Sequence, residues 1–184
     1  MIKTSTLGPT YRFSECFNAT GAFHPGDDTR DTRLHGIGDA AYVLPRGITA
    51  SCVMLSGAAV QWRVIVQRNP SISPGEAEFY ALTSTVTETV TIRQLLEEIG
   101  HVFPSATHTF SDARTARILA EHGATTPRTR FIDRRYHFVK FYEQDGIIKI
   151  MPIRGSRNPA NALTKFTFGV MFYHERKYLL GIIT

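Results

Sequence analysis

From Leu34 onward the chain is a succession of apolar runs, and the changes in their period mark out the elements. Three strand-like runs lie at about Leu34 to Leu44, Thr49 to Leu55 and Val60 to Gln67. They are separated by Pro45-Arg46-Gly47 and Ser56-Gly57-Ala58, an arrangement that suits an antiparallel meander. In the third run Val60, Trp62, Val64 and Val66 alternate with Gln61, Arg63, Ile65 and Gln67. That is the period of a strand with one better-buried face, and it sends Trp62 to the core.

Ser73-Pro74-Gly75-Glu76 then combines an N-cap Ser, a Pro at the first helical position and a Glu at the third, opening a long helix to about Ile99 that Gly100 terminates. Thr107 to Ser111 reads as a short buried strand. Ala113 to His122 is a helix closed by Gly123, and Arg130 to Gln144 a helix stopped at Asp145-Gly146. Ile147 to Ile153 is a last strand, and Asn158-Pro159 repeats the cap-then-Pro signal before a mostly helical segment from Ala160 to about Leu180. Residues 1–33, rich in Gly, Thr, Pro and Asp, predict loop around one short strand near Thr10 to Phe13. The sum is an α/β domain in which helices cover a mixed five-stranded sheet, three strands of it an antiparallel meander and the others parallel.

Composition changes this picture little. At 184 residues, 42% apolar and 20% charged, the chain can bury a core without disulfides, and Cys16 and Cys52 offer neither a disulfide framework nor a zinc site. It contains no run of the ~20 apolar residues a membrane span requires and begins with no signal-peptide pattern. The expectation is an intracellular protein, cytoplasmic or nuclear, with no membrane partner.

Charge changes it more. Residues 1–111 hold eight Lys or Arg against ten Asp or Glu, whereas residues 112–184 hold thirteen against six. A basic C-terminal part on a protein of pI near 9.4 favours a polyanionic partner, because Lys and Arg displace counterions condensed on phosphate backbones. Arg128, Arg130, Arg134, Arg135, Arg154 and Arg157 are candidate nucleic-acid contacts, interleaved with aromatic residues such as Phe131, Tyr136 and Phe138. The bland alternative is an amphipathic helix whose aromatics pack on the sheet and whose basic groups are solvated.

The candidate chemistry lies in the acids. Asp39 sits mid-strand among apolar neighbours, where a lone carboxylate is costly unless it has partners; otherwise it marks a wet face. Glu76 and Glu78 point about 200° apart on their helix, and since Glu76 caps, Glu78 is the better metal candidate. Asp112 follows a strand and precedes a helix, which suits either a cap or a ligand. Asn161 stands in the first turn of the last helix as a neutral, weaker ligand.

These residues fall in segments that resemble the ribonuclease H domain of copia-type retrotransposon Pol polyproteins. Gly38-Asp39-Ala40-Ala41-Tyr42 is similar to that family's Ser-Asp-Ala-Asp-Trp strand, with Ala41 at the second acid. Arg46 to Trp62 keeps its Arg-hairpin-Trp spacing. Glu76-Ala77-Glu78-Phe79-Tyr80-Ala81-Leu82 resembles its helix start, and Ser111-Asp112-Ala113 its Cys-Asp-Asn segment. Thr129 to Phe138 resembles its Thr-Lys-His-Ile-Asp-x-Arg-Tyr-His-Phe signature, and Asn158 to Lys165 its Asn-Pro-Ala-Asp-x-Leu-Thr-Lys close. The order of elements is likewise that of the ribonuclease H-like fold.

The resemblance implies a ribonuclease H-like domain over residues 34–166, preceded by an extension and followed by a helical segment over 167–184. It implies hydrolysis of the RNA strand of RNA/DNA hybrids with two Mg²⁺ ions, Mn²⁺ substituting, held by Asp39, Glu78, Asp112 and Asn161. It also implies a parent polyprotein with reverse transcriptase and integrase parts, and a hybrid contacted by the arginines above together with Arg46. Asn161 occupies the family's fourth acidic position, which predicts weakened cleavage. The alternative is a module that keeps the fold and binds nucleic acid or a protein without cutting.

Overall fold

The computed structural model describes residues 34–68, 70–122 and 130–181. A short strand near Thr10 to Phe13 and any contact by Arg128 lie outside them, and of the Arg130 side chain nothing is described. Strands β1 (Leu34–Ala41), β2 (Ile48–Leu55) and β3 (Ala58–Val66) form the antiparallel meander, while β4 (Thr107–Ser111) and β5 (Ile148–Pro152) pair in parallel beside β1. The sheet order is β3-β2-β1-β4-β5. Between β3 and β4 runs α1 (Pro74–Glu98), and between β4 and β5 run α2 (Arg114–His122) and α3 (Arg130–Gln144).

One face of the sheet carries α1, α2 and α3, whose Phe79, Leu82, Val86, Val90, Ala116, Ala120 and Val139 bury against Ile148. The capping expected at Ser73 is present: its Oγ accepts from the Glu76 N–H at 3.2 Å, and Glu76 reaches back to accept from the Ile72 N–H at 2.6 Å. The helix also lies unusually close to β1. Thr85 and Thr89 turn their hydroxyls onto the carbonyls of Ala81 and Thr85, and Gly36 and Gly38 of β1 face them. A Cβ on Gly38 would fall 2.2 Å from Thr85 Oγ1, so only glycine permits this approach. With Gly36 and Gly38 turned toward α1, alternation turns Ile37 and Asp39 to the opposite face.

That second face is covered by Ala160, by Leu163 of α4 (Asn161–Thr164) and by Tyr178 and Leu179 of α5 (Gly169–Leu180), packed on Ile37, Cys52, Met54, Phe110 and Ile153. The C-terminal segment is thus two helices rather than one, broken where Lys165 adopts extended backbone.

Trp62 corrects an expectation: it is 65% exposed, and Val60, Val64 and Val66 on the same side are exposed with it. The period was right but the face was wrong. β3 is the edge strand, and α5 reaches only its beginning, where Gly181 lies against Ala58. The α1 side of β3 is the better organised one, and it is polar. Gln61 donates to Glu88 of α1, Arg63 donates to the same carboxylate at 3.0 Å, and Gln67 is buried against Thr49.

Candidate metal centre

β1 and β4 are parallel neighbours over His35 to Ile37 only. Beyond Ile37, β1 continues along β2 while β4 ends at Ser111, which opens a notch at the carboxyl ends of the two strands. Ligand sites of open α/β sheets form at such places.

Asp39 enters this notch from β1 with its side chain fully buried, Glu78 from the first turns of α1, and Asp112 from the residue after β4. One carboxylate oxygen from each lies within 4.8 Å of the others, so the structure brings together three acids separated by up to 73 positions in sequence. Glu76 stays with its cap and with Tyr80, whose hydroxyl donates to it at 2.5 Å.

Three carboxylates so close repel one another, and burial adds to the cost of charging them. Burial first, then the charges of Asp39 and Asp112, push the Glu78 carboxyl up to about 8, against a pull downward from Lys165 and a hydrogen bond from the Ala40 N–H. Asp112 is also raised, by burial and by Asp39, and is drawn back by Lys165 and Asn158. The cluster therefore calls for more positive charge than the protein supplies. Carboxylate oxygens at this spacing fit a hard divalent cation, which demands oxygen ligands.

The partners of Asp39 come from the far end of the domain. Thr164 Oγ1 donates to one oxygen, and Lys165 Nζ stands 3.2 Å from the carboxylate. Asn161, 7% exposed at the start of α4, joins the same group. Its Oδ1 accepts from Lys165 Nζ at 2.7 Å and its Nδ2 donates to the Gly155 carbonyl at 2.6 Å. Asn158 is fully buried; it donates to the Gly38 carbonyl at 3.0 Å, accepts from the Ala160 N–H, and so ties the closing loop to β1. Gly155 completes the wall, since a Cβ there would come within 3.0 Å of Asp112 Oδ2.

Sequence reasoning named Asp39, Glu78, Asp112 and Asn161 but missed Thr164 and Lys165 as partners of Asp39. The available signals were their match to the Thr-Lys of the closing motif and their place one turn after Asn161, which puts them on the face that α4 turns to β1.

Of the candidate nucleic-acid contacts, Arg46 is exposed in the β1–β2 loop, Arg134 and Arg135 are exposed on α3, Arg154 is exposed after β5 and Arg157 is half-buried. Arg135 stacks its guanidinium 4.1 Å over the Tyr80 ring. It helps line a groove of about 430 Å³ between α1, α3 and the β2–β3 edge, together with Arg63, Arg68, Gln67 and Glu88. Arg63 and Arg68 were not among the expected contacts. Among the described residues, no helix is long and apolar enough to cross a membrane.

No family model matches the chain. Over 110 residues, 60% of its length, it is 32% identical to the retrovirus-related Pol polyprotein from transposon TNT 1-94 of Nicotiana tabacum, and it spans 8% of that relative. In three dimensions it is similar to the N-terminal ribonuclease H domain of a Mycobacterium tuberculosis protein, solved as a fusion with maltose-binding protein. That likeness has a TM-score of 0.53 at 9% identity and covers 72% of this chain and 91% of that one. It is also similar to LC11-RNase H1 solved in complex with an RNA/DNA hybrid, with a TM-score of 0.50 at 7% identity, covering 71% and 91%. The mixed sheet is thus a ribonuclease H fold, in a chain that over 110 residues is similar in sequence to the Pol polyprotein of a retrotransposon.

Proposed function

We propose that this domain is a ribonuclease H that hydrolyses the RNA strand of RNA/DNA hybrids, with Mg²⁺ as its metal and Mn²⁺ as a substitute. The observation that carries the reading is the convergence of Asp39, Glu78 and Asp112 on one notch, each from a different element. Asp39 anchors the site, immobilised by Thr164 and Lys165. Glu78 and Asp112, whose carboxyls hold protons more tightly than usual, would release them to solvent on taking up a divalent ion. Held by Asp39, Glu78 and Asp112, a divalent ion would supply Lewis-acid activation of water and charge stabilisation at the scissile phosphate.

Asn161 offers an amide oxygen where the resemblance has a carboxylate, and a neutral ligand holds metal more weakly. Cleavage is accordingly slowed rather than lost. The groove lined by Arg63, Arg68 and Arg135 lies beside Tyr80, on the side of α1 that carries Glu76 rather than Glu78, and offers a phosphate backbone a cationic surface. Arg46, Arg134, Arg154 and Arg157 extend the basic surface; Arg128 and Arg130 are proposed as contacts from the sequence alone. The partners that follow are an RNA/DNA hybrid and the polymerase and integrase parts of a polyprotein.

The test is cleavage of an end-labelled hybrid in Mg²⁺ and in Mn²⁺ by the chain as it stands, by Asp39→Asn and by Asn161→Asp. Cleavage that disappears in Asp39→Asn and rises tenfold or more in Asn161→Asp is the expected result. Silence from all three folded proteins overturns the reading and leaves a module that binds without cutting.

A further inference from the structure

The positive charge already inside the notch is as informative as the acids around it. Lys165 follows directly on α4, and its Nζ is held at two points, 3.2 Å from the Asp39 carboxylate and 2.7 Å from Asn161 Oδ1. The Asn161 amide is oriented for this contact, because its Nδ2 is committed to the Gly155 carbonyl and only the oxygen can face the ammonium. The charge of Lys165 is felt at Glu78, at Asp112 and at Glu175, a buried acid of α5. The ammonium is therefore central to the cluster.

We propose that Lys165 is a resident cation of this centre, supplying charge that would otherwise come from one of the two metal ions the family resemblance implies, so that the domain takes up one divalent ion. Charge balance carries the argument. Asp39, Glu78 and Asp112 bring three negative charges, Lys165 returns one positive charge, and a single divalent ion closes the sum. Four carboxylates balance two divalent ions, but in this chain the fourth is the neutral Asn161. Two ions beside Lys165 would overcharge the notch. Lys165 matches the lysine that closes the resembled motif, so the change particular to this chain is the lost carboxylate, which leaves three negative charges against that ammonium. The contact also weakens Asn161 as a ligand, since its Oδ1 spends one of its two lone pairs on the ammonium at 2.7 Å.

The inference rests on the proposed carboxylate–metal reading but is read out by metal counting rather than cleavage. The full chain is titrated with Mn²⁺, and bound ion is measured by loss of the free-ion resonance. We expect saturation at one Mn²⁺ in the chain as it stands and in Lys165→Arg, which keeps the charge. We expect two in Lys165→Met combined with Asn161→Asp, which restores the four-carboxylate balance. Circular dichroism checks that each variant is folded, and Lys165, 49% exposed in its side chain, lies outside the core. Two Mn²⁺ ions in the unaltered chain, or an unchanged count of one in the folded double variant, overturns the resident cation while leaving the metal centre intact. No Mn²⁺ bound by any variant sinks the metal centre and the resident cation together.

Discussion

At the scale of single residues, the notch stores an electrostatic conflict that pH exposes. Glu78 holds its proton in the fold up to about pH 8, whereas in the unfolded chain it releases it near 4.5. Between those values the native state binds a proton that the unfolded state does not, so stability falls as pH rises through this window. Asp112, raised for the same reasons, adds a slope of the same sign. In the presence of a chelator, thermal midpoints should therefore decline from pH 5 to pH 8, and the decline should be shallower in Glu78→Gln. Divalent metal competes with the proton, so Mg²⁺ or Mn²⁺ should raise the midpoint of the unaltered protein more at pH 8 than at pH 5. Parallel pH profiles for the two proteins would refute the assignment of the strain to Glu78. Asp39, Glu78 and Asp112 were readable in the sequence because each stands inside a segment that resembles a family motif; from the residues alone Asp39 could mark a wet face and Asp112 a helix cap. The role of Lys165 was not, because its contact with Asp39 spans 126 positions and its place at the end of the closing motif does not say what it touches.

At the scale of elements, the spacing between β1 and α1 decides where the acids point. Glycine at positions 36 and 38 lets the Thr85 and Thr89 hydroxyls seat against the strand, which sets Asp39 on one face and carries Glu78 in over its end. The family that the sequence resembles commonly has Ser where this chain has Gly38, a position where a Cβ would meet Thr85 in this fold. Gly38→Ser should cost about 1–3 kcal/mol, since its Cβ would meet Thr85 Oγ1 at 2.2 Å and the Ala81 carbonyl at 3.3 Å. Thr85→Ala, which removes a hydroxyl satisfied within its own helix, should cost about 1 kcal/mol or less. The double substitution should be more stable than the sum of the two, with a coupling of about 1 kcal/mol or more by urea denaturation. Strict additivity would mean that the close approach is set elsewhere. Element order, strand pairing and the Ser73 cap were legible because each rests on local periodicity or on a capping motif. The exposed Trp62 shows the limit: alternation along an edge strand says that the faces differ, but which one is covered depends on how far α5 reaches and on Glu88 of α1, neither of which is local to β3. The break after α4 was missed for a related reason, since Phe166 and Phe168 continue an apolar pattern although both side chains are exposed.

At the scale of the whole molecule, the excess of five positive charges matters only where it meets a polyanion. The groove beside Tyr80 distinguishes its arginines by what already neutralises them. Arg63 is paired at 3.0 Å with Glu88, a carboxylate only 11% exposed in its side chain, whereas Arg135 lies over a Tyr ring. Counterion release follows the charge that reaches phosphates, at a logarithmic slope of roughly 0.7–0.9 per contact. Hybrid affinity measured by anisotropy across a salt series, with Ca²⁺ in place of Mg²⁺ so that the substrate survives, should therefore separate them. Arg135→Ala and Arg68→Ala should each weaken binding and lower the salt slope by about one, and Arg63→Ala should leave the slope nearly unchanged because its charge is already matched. A salt slope that none of the three alters would move the hybrid off this groove and onto the rest of the basic surface. The carboxylate notch would then have to be approached from the Arg154 side, along the loop that Asn158 ties to β1.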